Sequence, residues 1–242
     1  MNHESRITNR KSALTLLILA SCFLLLASTP AHAQSVDLLW QGDTYVPPFY
    51  QGRTLWSSQS RINFVAMPHD LGNPEGLNYK WTKDGTVLGN INGMGKNTLS
   101  FVDSVISKPQ VVKIDIISPD KATVLATRSV LVTPITPVLV VYENNPLYGF
   151  MFHREIKGEF KLQEQEVTFT AFPFFFSASN RLDSKIGYEW RTNAEGETET
   201  NNSVTYRSPD KVVGTSEVKV YTSSTDKILQ SANNSFLVQF GI

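Results

Sequence analysis

The chain has 242 residues with 22 basic and 22 acidic side chains, 41% hydrophobic residues and one cysteine, Cys22. A formal charge of zero argues against a nucleic-acid partner, because polyanion binders gather Lys and Arg on one face or stripe. A lone cysteine excludes an intramolecular disulfide, so any fold here must rest on its apolar core.

The N-terminus reads as an export signal. Basic Arg6, Arg10 and Lys11 precede an apolar run from Ala13 to Ala27, and Ala31-His32-Ala33 supplies the small residues of a cleavage site. Cleavage after Ala33 gives a signal peptide over 1–33 and a mature chain starting at Gln34. Two other readings compete: an uncleaved anchor, and lipidation at Cys22, since Leu19-Ala20-Ser21-Cys22 resembles the lipobox of bacterial lipoproteins. The apolar Phe23-Leu24-Leu25-Leu26 that follows Cys22 continues the signal core and favours cleavage at Ala33. The 209 residues from Gln34 onward carry 19 basic and 21 acidic side chains, a formal charge of −2, and suffice for two domains.

Val36 to Trp40 is the first expected strand, and Tyr45-Val46-Pro47-Pro48-Phe49-Tyr50 follows it. Two prolines without N–H groups make that piece an edge or polyproline-like segment. Ser60 to Met67 alternates, with Ile62, Phe64 and Ala66 on one face and Asn63 and Val65 on the other. The strand Leu77-Asn78-Tyr79-Lys80-Trp81 ends at Asp84-Gly85, a hairpin dipeptide. Gly89 to Gly95 is a loop, Thr98 to Val102 a strand, and Val111 to Ile117 pairs with Thr123 to Val132 across Ser118-Pro119-Asp120.

The pattern then starts again. Phe64-Val65-Ala66-Met67-Pro68 matches Phe169-Thr170-Ala171-Phe172-Pro173 at a separation of 105, as Leu99-Ser100-Phe101 matches Val204-Thr205-Tyr206. Asp120-Lys121 and Leu131-Val132 recur at 106 as Asp226-Lys227 and Leu237-Val238, whereas Trp81 and Trp190 are 109 apart. Strands that keep register while loops vary mark two copies of one module. The expected domains are 34–133 and 138–242, joined through residues 134–137, a short Pro-containing linker that allows limited bending.

A Trp in the third strand, Trp-x-x-Asp-Gly leading into a hairpin, and the Tyr-x-Trp strand repeated at Tyr188-Glu189-Trp190 make the halves resemble bacterial Ig-like domains of the broad Ig/PKD type. The resemblance covers most of residues 60–132 and 165–240. It lacks the cysteine pair of antibody domains and the Trp-Asp-Phe-Gly-Asp run of PKD domains. It implies an all-β chain of two tandem Ig-like β-sandwich domains after the signal peptide, of the kind used as spacers, adhesive units or parts of surface assemblies.

Catalytic chemistry finds little purchase. After Ala33 the only imidazoles are His69 and His153, one in each copy, so neither a nucleophile–base pair nor a zinc site is indicated. Glu195-Gly196-Glu197-Thr198-Glu199 lacks the spacing of a calcium loop, and Gly89 to Lys96 lacks that of a phosphate loop. Asn201-Asn202-Ser203 and Asn233-Asn234-Ser235 match the glycosylation sequon in a chain whose signal and fold look bacterial.

Aromatic residues exceed what one buried face can use. Phe172-Pro173-Phe174-Phe175-Phe176 must point both ways from its strand, so an exposed patch at Phe174, Phe175 and Phe176 is the candidate binding site, unless a loop or the neighbouring domain covers it. Tyr45, Phe49, Tyr50 and Trp56, and likewise Tyr148, Phe150 and Phe152, follow the first strand of each copy and are expected to cover the end of a sandwich. The reading is an exported, non-enzymatic structural or protein-interaction module, periplasmic, cell-surface or extracellular, with a surface or pilus-like assembly as one form. The expected partner is an envelope or surface protein or a glycan, with no cofactor, no metal and no nucleic acid. The alternative is a carbohydrate-binding module using exposed aromatics; a hydrolase ranks below both.

Overall fold

The computed structural model describes residues 34–103, 105–192 and 200–241. The expected signal peptide with Cys22 and the cluster Glu195, Glu197 and Glu199 lie outside the described residues.

The first half contributes β1 (Ser35–Asp43), β2 (Arg61–His69), β3 (Asn78–Lys83), β4 (Thr86–Val87), β5 (Gly93–Met94), β6 (Thr98–Val102), β7 (Gln110–Ile117) and β8 (Val124–Val132). They form two sheets, β1-β2-β6 and β4-β3-β7-β8, with β5 on β3. The second half contributes β9 (Val138–Asn145), β10 (Gly149–Glu155), β11 (Gly158–Lys161), β12 (Glu166–Phe174), β13 (Ile186–Thr192), β14 (Ser203–Arg207), β15 (Gly214–Ser224) and β16 (Ser231–Phe240). Its sheets are β10-β9-β12-β14 and β11-β16-β15-β13. The chain is thus all-β, two tandem Ig-like β-sandwich domains.

Each core follows from period-two burial. Ile62, Phe64 and Ala66 of β2 face inward and meet Trp81 of β3 and Val112, Ile114 and Ile116 of β7. In the second domain Phe169 and Ala171 of β12 meet Trp190, Val218, Val220 and Val238. An indole so enclosed is a large part of either core, and truncating it to Ala costs about 3–5 kcal/mol. At the β3–β4 hairpin, Asp84 and Gly85 both hold positive φ (47° and 80°), the conformation of a two-residue turn that matches strand twist.

The repeat recurs bond for bond. Trp81 Nε1 donates to the Lys96 carbonyl (2.8 Å) and Trp190 Nε1 to that of Asn201 (2.9 Å), acceptors 105 residues apart. The Ala66 amide donates to Asn97 O and the Ala171 amide to Asn202 O, each at 2.8 Å and again 105 apart. The Ser118 hydroxyl meets Asp120 and the Ser224 hydroxyl meets Asp226, 106 apart, in the turn that joins the last two strands of each domain. Loops absorb the remaining offset: the stretch before the second Trp is longer by four residues, and the stretch after it shorter by four.

Two strands escape the alternation reading. β10 folds back antiparallel on β9 with a shift of register between Phe150 and Glu155, and β11 crosses to the other sheet and runs parallel to β16, Phe160 opposite Val238. The first domain has only a trace of that crossing, a parallel bridge between Ser57 and Ile135, which delivers the fully buried Trp56 to the core. Between β1 and this bridge, residues 44–55 form no strand and leave their own domain.

Candidate functional site

Those residues, here called the strap, explain the aromatic excess. Along β12, Phe169 and Ala171 face the core, so Phe172 and Phe174 face outward, beside Val140 and Tyr142 of β9. On an isolated sandwich that face would meet water. Here Val46, Phe49, Tyr50 and Leu55 of the strap lie over it, with Ile135 of the linker. Being covered on both sides, β12 reads as a nearly unbroken apolar run, as strands buried on both faces do.

Phe174 and Phe175 are 8% and 7% exposed and Phe176 is fully buried, which corrects the expectation of an exposed patch at these three residues. Phe174 and Phe175 are interdomain packing, and Phe176 belongs to the core of its own domain. The physical reason is a backbone turn that alternation does not foresee: Phe175 has φ +65°, so the chain leaves the strand path and aims three successive rings at two cores. A left-handed conformation costs a bulky residue roughly 1–2 kcal/mol. Two hydrogen bonds to the strap hold it: Phe175 N–H to Tyr45 O and Tyr45 N–H to Phe176 O, both 2.7 Å.

The other aromatic groups divide. Trp56 enters the core of the first domain, whereas Phe49 and Tyr50 cover a sheet face of the second rather than the end of a sandwich. Phe49 meets Tyr142 edge-on (5.7 Å, 87°) and lies 4.1 Å from Phe152; Tyr50 meets Phe174 and Phe175 edge-on at 6.0 and 5.7 Å. Such edge-to-face pairs add about 0.5–1.5 kcal/mol each beyond area burial. Phe150 and Phe152 join the same cluster through Phe172, and Tyr148 stands exposed at the β9–β10 turn. Arg181 caps the cluster, its guanidinium 5.0 Å from the Phe150 ring centre and 5.3 Å from that of Phe172. Burial pushes the Tyr45 hydroxyl above its ordinary pKa, and the charge and hydrogen bond of Arg181 work against that rise. Burial, and then the neighbouring Tyr45, push Tyr188 up as well.

A polar clasp completes the seam. Gln230, fully buried at the end of the turn before β16, donates from Nε2 to Ser58 O (2.8 Å), Ser177 Oγ (2.9 Å) and Ser57 Oγ (3.2 Å). Its Oε1 accepts from the Ser177 amide at 2.8 Å. The next residue back, Leu229, donates its amide to Gln59 Oε1 (2.8 Å). The linker is zipped in parallel: Ile135 N–H donates to Trp56 O (2.9 Å), and Ser58 N–H to Ile135 O (3.4 Å).

The strap is fastened to its own domain where it begins and ends. Gly42 N–H donates to Thr54 O (2.8 Å), Thr54 Oγ1 to Gly42 O (2.7 Å) and Thr44 Oγ1 to Leu55 O (2.9 Å). The backbones approach so closely that a Cβ on Gly42 would lie 2.3 Å from the Leu55 oxygen. Only glycine fits there.

Residues weighed for catalysis stay apart. His69 pairs with Asp37 across β1 and β2 (3.0 Å), and His153 lies on β10 in the other domain. Among the described residues no group of three His, Cys, Asp or Glu could hold a metal ion. Lys96, at the end of the Gly-rich loop, offers its carbonyl to Trp81. Gly42, Arg181 and Gln230 carry no motif and were invisible to sequence reading.

Fold and seam define a class: tandem Ig-like sandwiches joined by a strap, a linker bridge and a buried polar clasp. No protein-family model and no curated protein matches the chain. Among solved structures it is similar to three N-terminal domains of the bacteriophage RB49 Highly Immunogenic Outer Capsid protein, with a TM-score of 0.43 and 19% identity over 86% of this chain and 59% of that one. It is also similar to fibronectin(III)-like modules of Clostridium thermocellum CbhA (TM-score 0.27, 15% identity, 83% and 93% covered). A third is a putative membrane anchored protein from Corynebacterium diphtheriae (0.33, 10%, 88% and 60%). The chain spans about three fifths of the phage and corynebacterial chains. None of these likenesses gives a residue of this chain a role.

Proposed function

We propose that this protein is an exported, non-enzymatic module of the bacterial cell envelope or surface, whose two sandwiches act as one stiff unit that presents its loops and sheet edges to a partner. The observation that carries the reading is the seam, where the strap, the linker bridge at Ser57 and Ile135, and Gln230 on Ser57 and Ser58 form one continuous contact between the domains. Domains within one chain move relative to each other by default unless their interface is large and apolar. An eight-aromatic cluster spent on this contact is the investment expected when relative orientation matters. Export is supported by the N-terminal pattern of charge, apolar run and small residues.

Two measurements test it. Alkaline phosphatase fused after Ile242 of the full chain should be active in a bacterial host, since that enzyme gains its disulfides only outside the cytoplasm; a silent fusion would end the exported reading. Residual dipolar couplings from residues 34–242 should fit one alignment tensor for both domains. Two tensors of different magnitude would show free hinging, and the stiff-unit reading would fall.

A further inference from the structure

The strap spends the aromatic cluster internally, but one aromatic side chain stands free on a regular sheet face elsewhere. On the outer face of β13, β15 and β16, cross-strand register sets Glu189, Tyr221 and Asn233 in one row and Arg191, Lys219 and Ser235 in the next. Together they line a shallow groove of about 460 Å³. Tyr221 is 44% exposed at its centre.

We propose that this groove binds a neutral oligosaccharide. Charge decides against an anion, because each cation already has a partner on the same strand. The Arg191 guanidinium is held by Glu189, with Nε to Oε1 at 2.7 Å, and Lys219 Nζ lies 2.8 Å from Glu217 Oε2. Chemistry decides against an apolar peptide, because Tyr221 is the groove's one ring and its neighbours are amide, hydroxyl, carboxylate and guanidinium. That set matches a pyranose: a ring face for its C–H side, and around it planar groups that donate and accept for vicinal hydroxyls. The Glu189–Arg191 pair sets a carboxylate and a guanidinium side by side next to the Tyr221 ring. Rigid strands place all six residues, as a precise site requires. The proposal is independent of the seam and of the stiff-unit reading.

The test is a titration of ¹⁵N-labelled residues 34–242 with cellohexaose, chitohexaose, xylohexaose and mannohexaose, each to millimolar concentration. At least one should shift the amides of Glu189, Arg191, Lys219, Tyr221 and Asn233 in a saturable way, and Tyr221→Ala should weaken that binding about tenfold or more. Tyr221 lies outside the core, so the variant should keep the wild-type unfolding midpoint. Should it misfold, Asn233→Ala at another exposed position carries the same comparison. Silence of these amides toward all four sugars would overturn the proposal, as would shifts that survive in both variants. Broadening of the same amides with protein concentration alone would assign the face to a second copy and overturn it equally.

Discussion

Gln230 shows how much one uncharged residue can organise. Its amide group makes four hydrogen bonds, two to Ser57 and Ser58 of the first domain and two to Ser177 of its own. Removal leaves buried partners unpaired, so Gln230→Ala should lower the free energy of unfolding by about 1–3 kcal/mol, read from urea denaturation. Gly42→Ala should destabilise by a similar amount, about 1–3 kcal/mol, because the new methyl meets backbone that cannot yield. Gly89→Ala, with nothing within 4 Å of its added carbon, should leave the urea midpoint unchanged and serves as the control. Asp183 accepts bonds from the Ser179 and Lys185 amides and the Ser179 hydroxyl, and these hold its pKa down to about 2, against an ordinary 3.8. A carboxylate lowered in the folded state stabilises above its ordinary pKa and loses that contribution as pH falls through the folded one. Wild type should therefore lose stability between pH 4 and pH 2 more steeply than Asp183→Asn, as thermal unfolding across that window would show.

At the scale of elements the strap matters most, and it marks the boundary of what sequence could show. β2, β3, β6, β7 and β8 were legible because each has one wet and one dry face, and alternation records that difference along a few residues. Phe172 to Phe176 was legible only as an anomaly. What covers it lies more than a hundred residues earlier, in a Pro-Pro segment whose apolar side chains carry no period. The strap's own anchor, Gly42, is conspicuous only once the Leu55 carbonyl stands against it. β10 and β11 were missed for another reason: a register shift breaks the alternation in one, and the other has four residues, too few to establish any. Phe49→Ala removes a partly buried ring with four aromatic neighbours. It should cost roughly 2–4 kcal/mol, toward the lower part of the range for large-to-small changes at packed aromatics. It should also flatten the near-ultraviolet circular dichroism, while the far-ultraviolet spectrum stays that of a β protein.

For the whole molecule, the repeat of 105–106 residues conveyed two copies of one sandwich but not how they meet. The copies differ where they touch: the first sends residues 44–55 outward, and the second folds the corresponding stretch back as β10. The domains should therefore be unequal when separated. Residues 138–242 alone would expose Val140, Tyr142, Phe172, Phe174 and Phe175, and should bind a hydrophobic dye and associate with rising concentration. Residues 34–133 would expose the strap's Val46, Phe49, Tyr50 and Leu55 and lose the bonds of Ile135 and Gln230 to Trp56, Ser57 and Ser58, but keep their own core, and should stay monomeric and folded. Equal behaviour of the two fragments would contradict the division of roles between them.

The strap lies on the earlier domain and the sticky face on the later one, and this fixes an order in time. A chain made or threaded from its N-terminus delivers residues 44–55 before β9 and β12 exist. The apolar face is thus born next to its cover, tethered at high local concentration, and never has to search for it in competition with other chains. A circular permutant that begins at Val138 and ends at Thr133 would reverse the sequence of events and leave that face waiting.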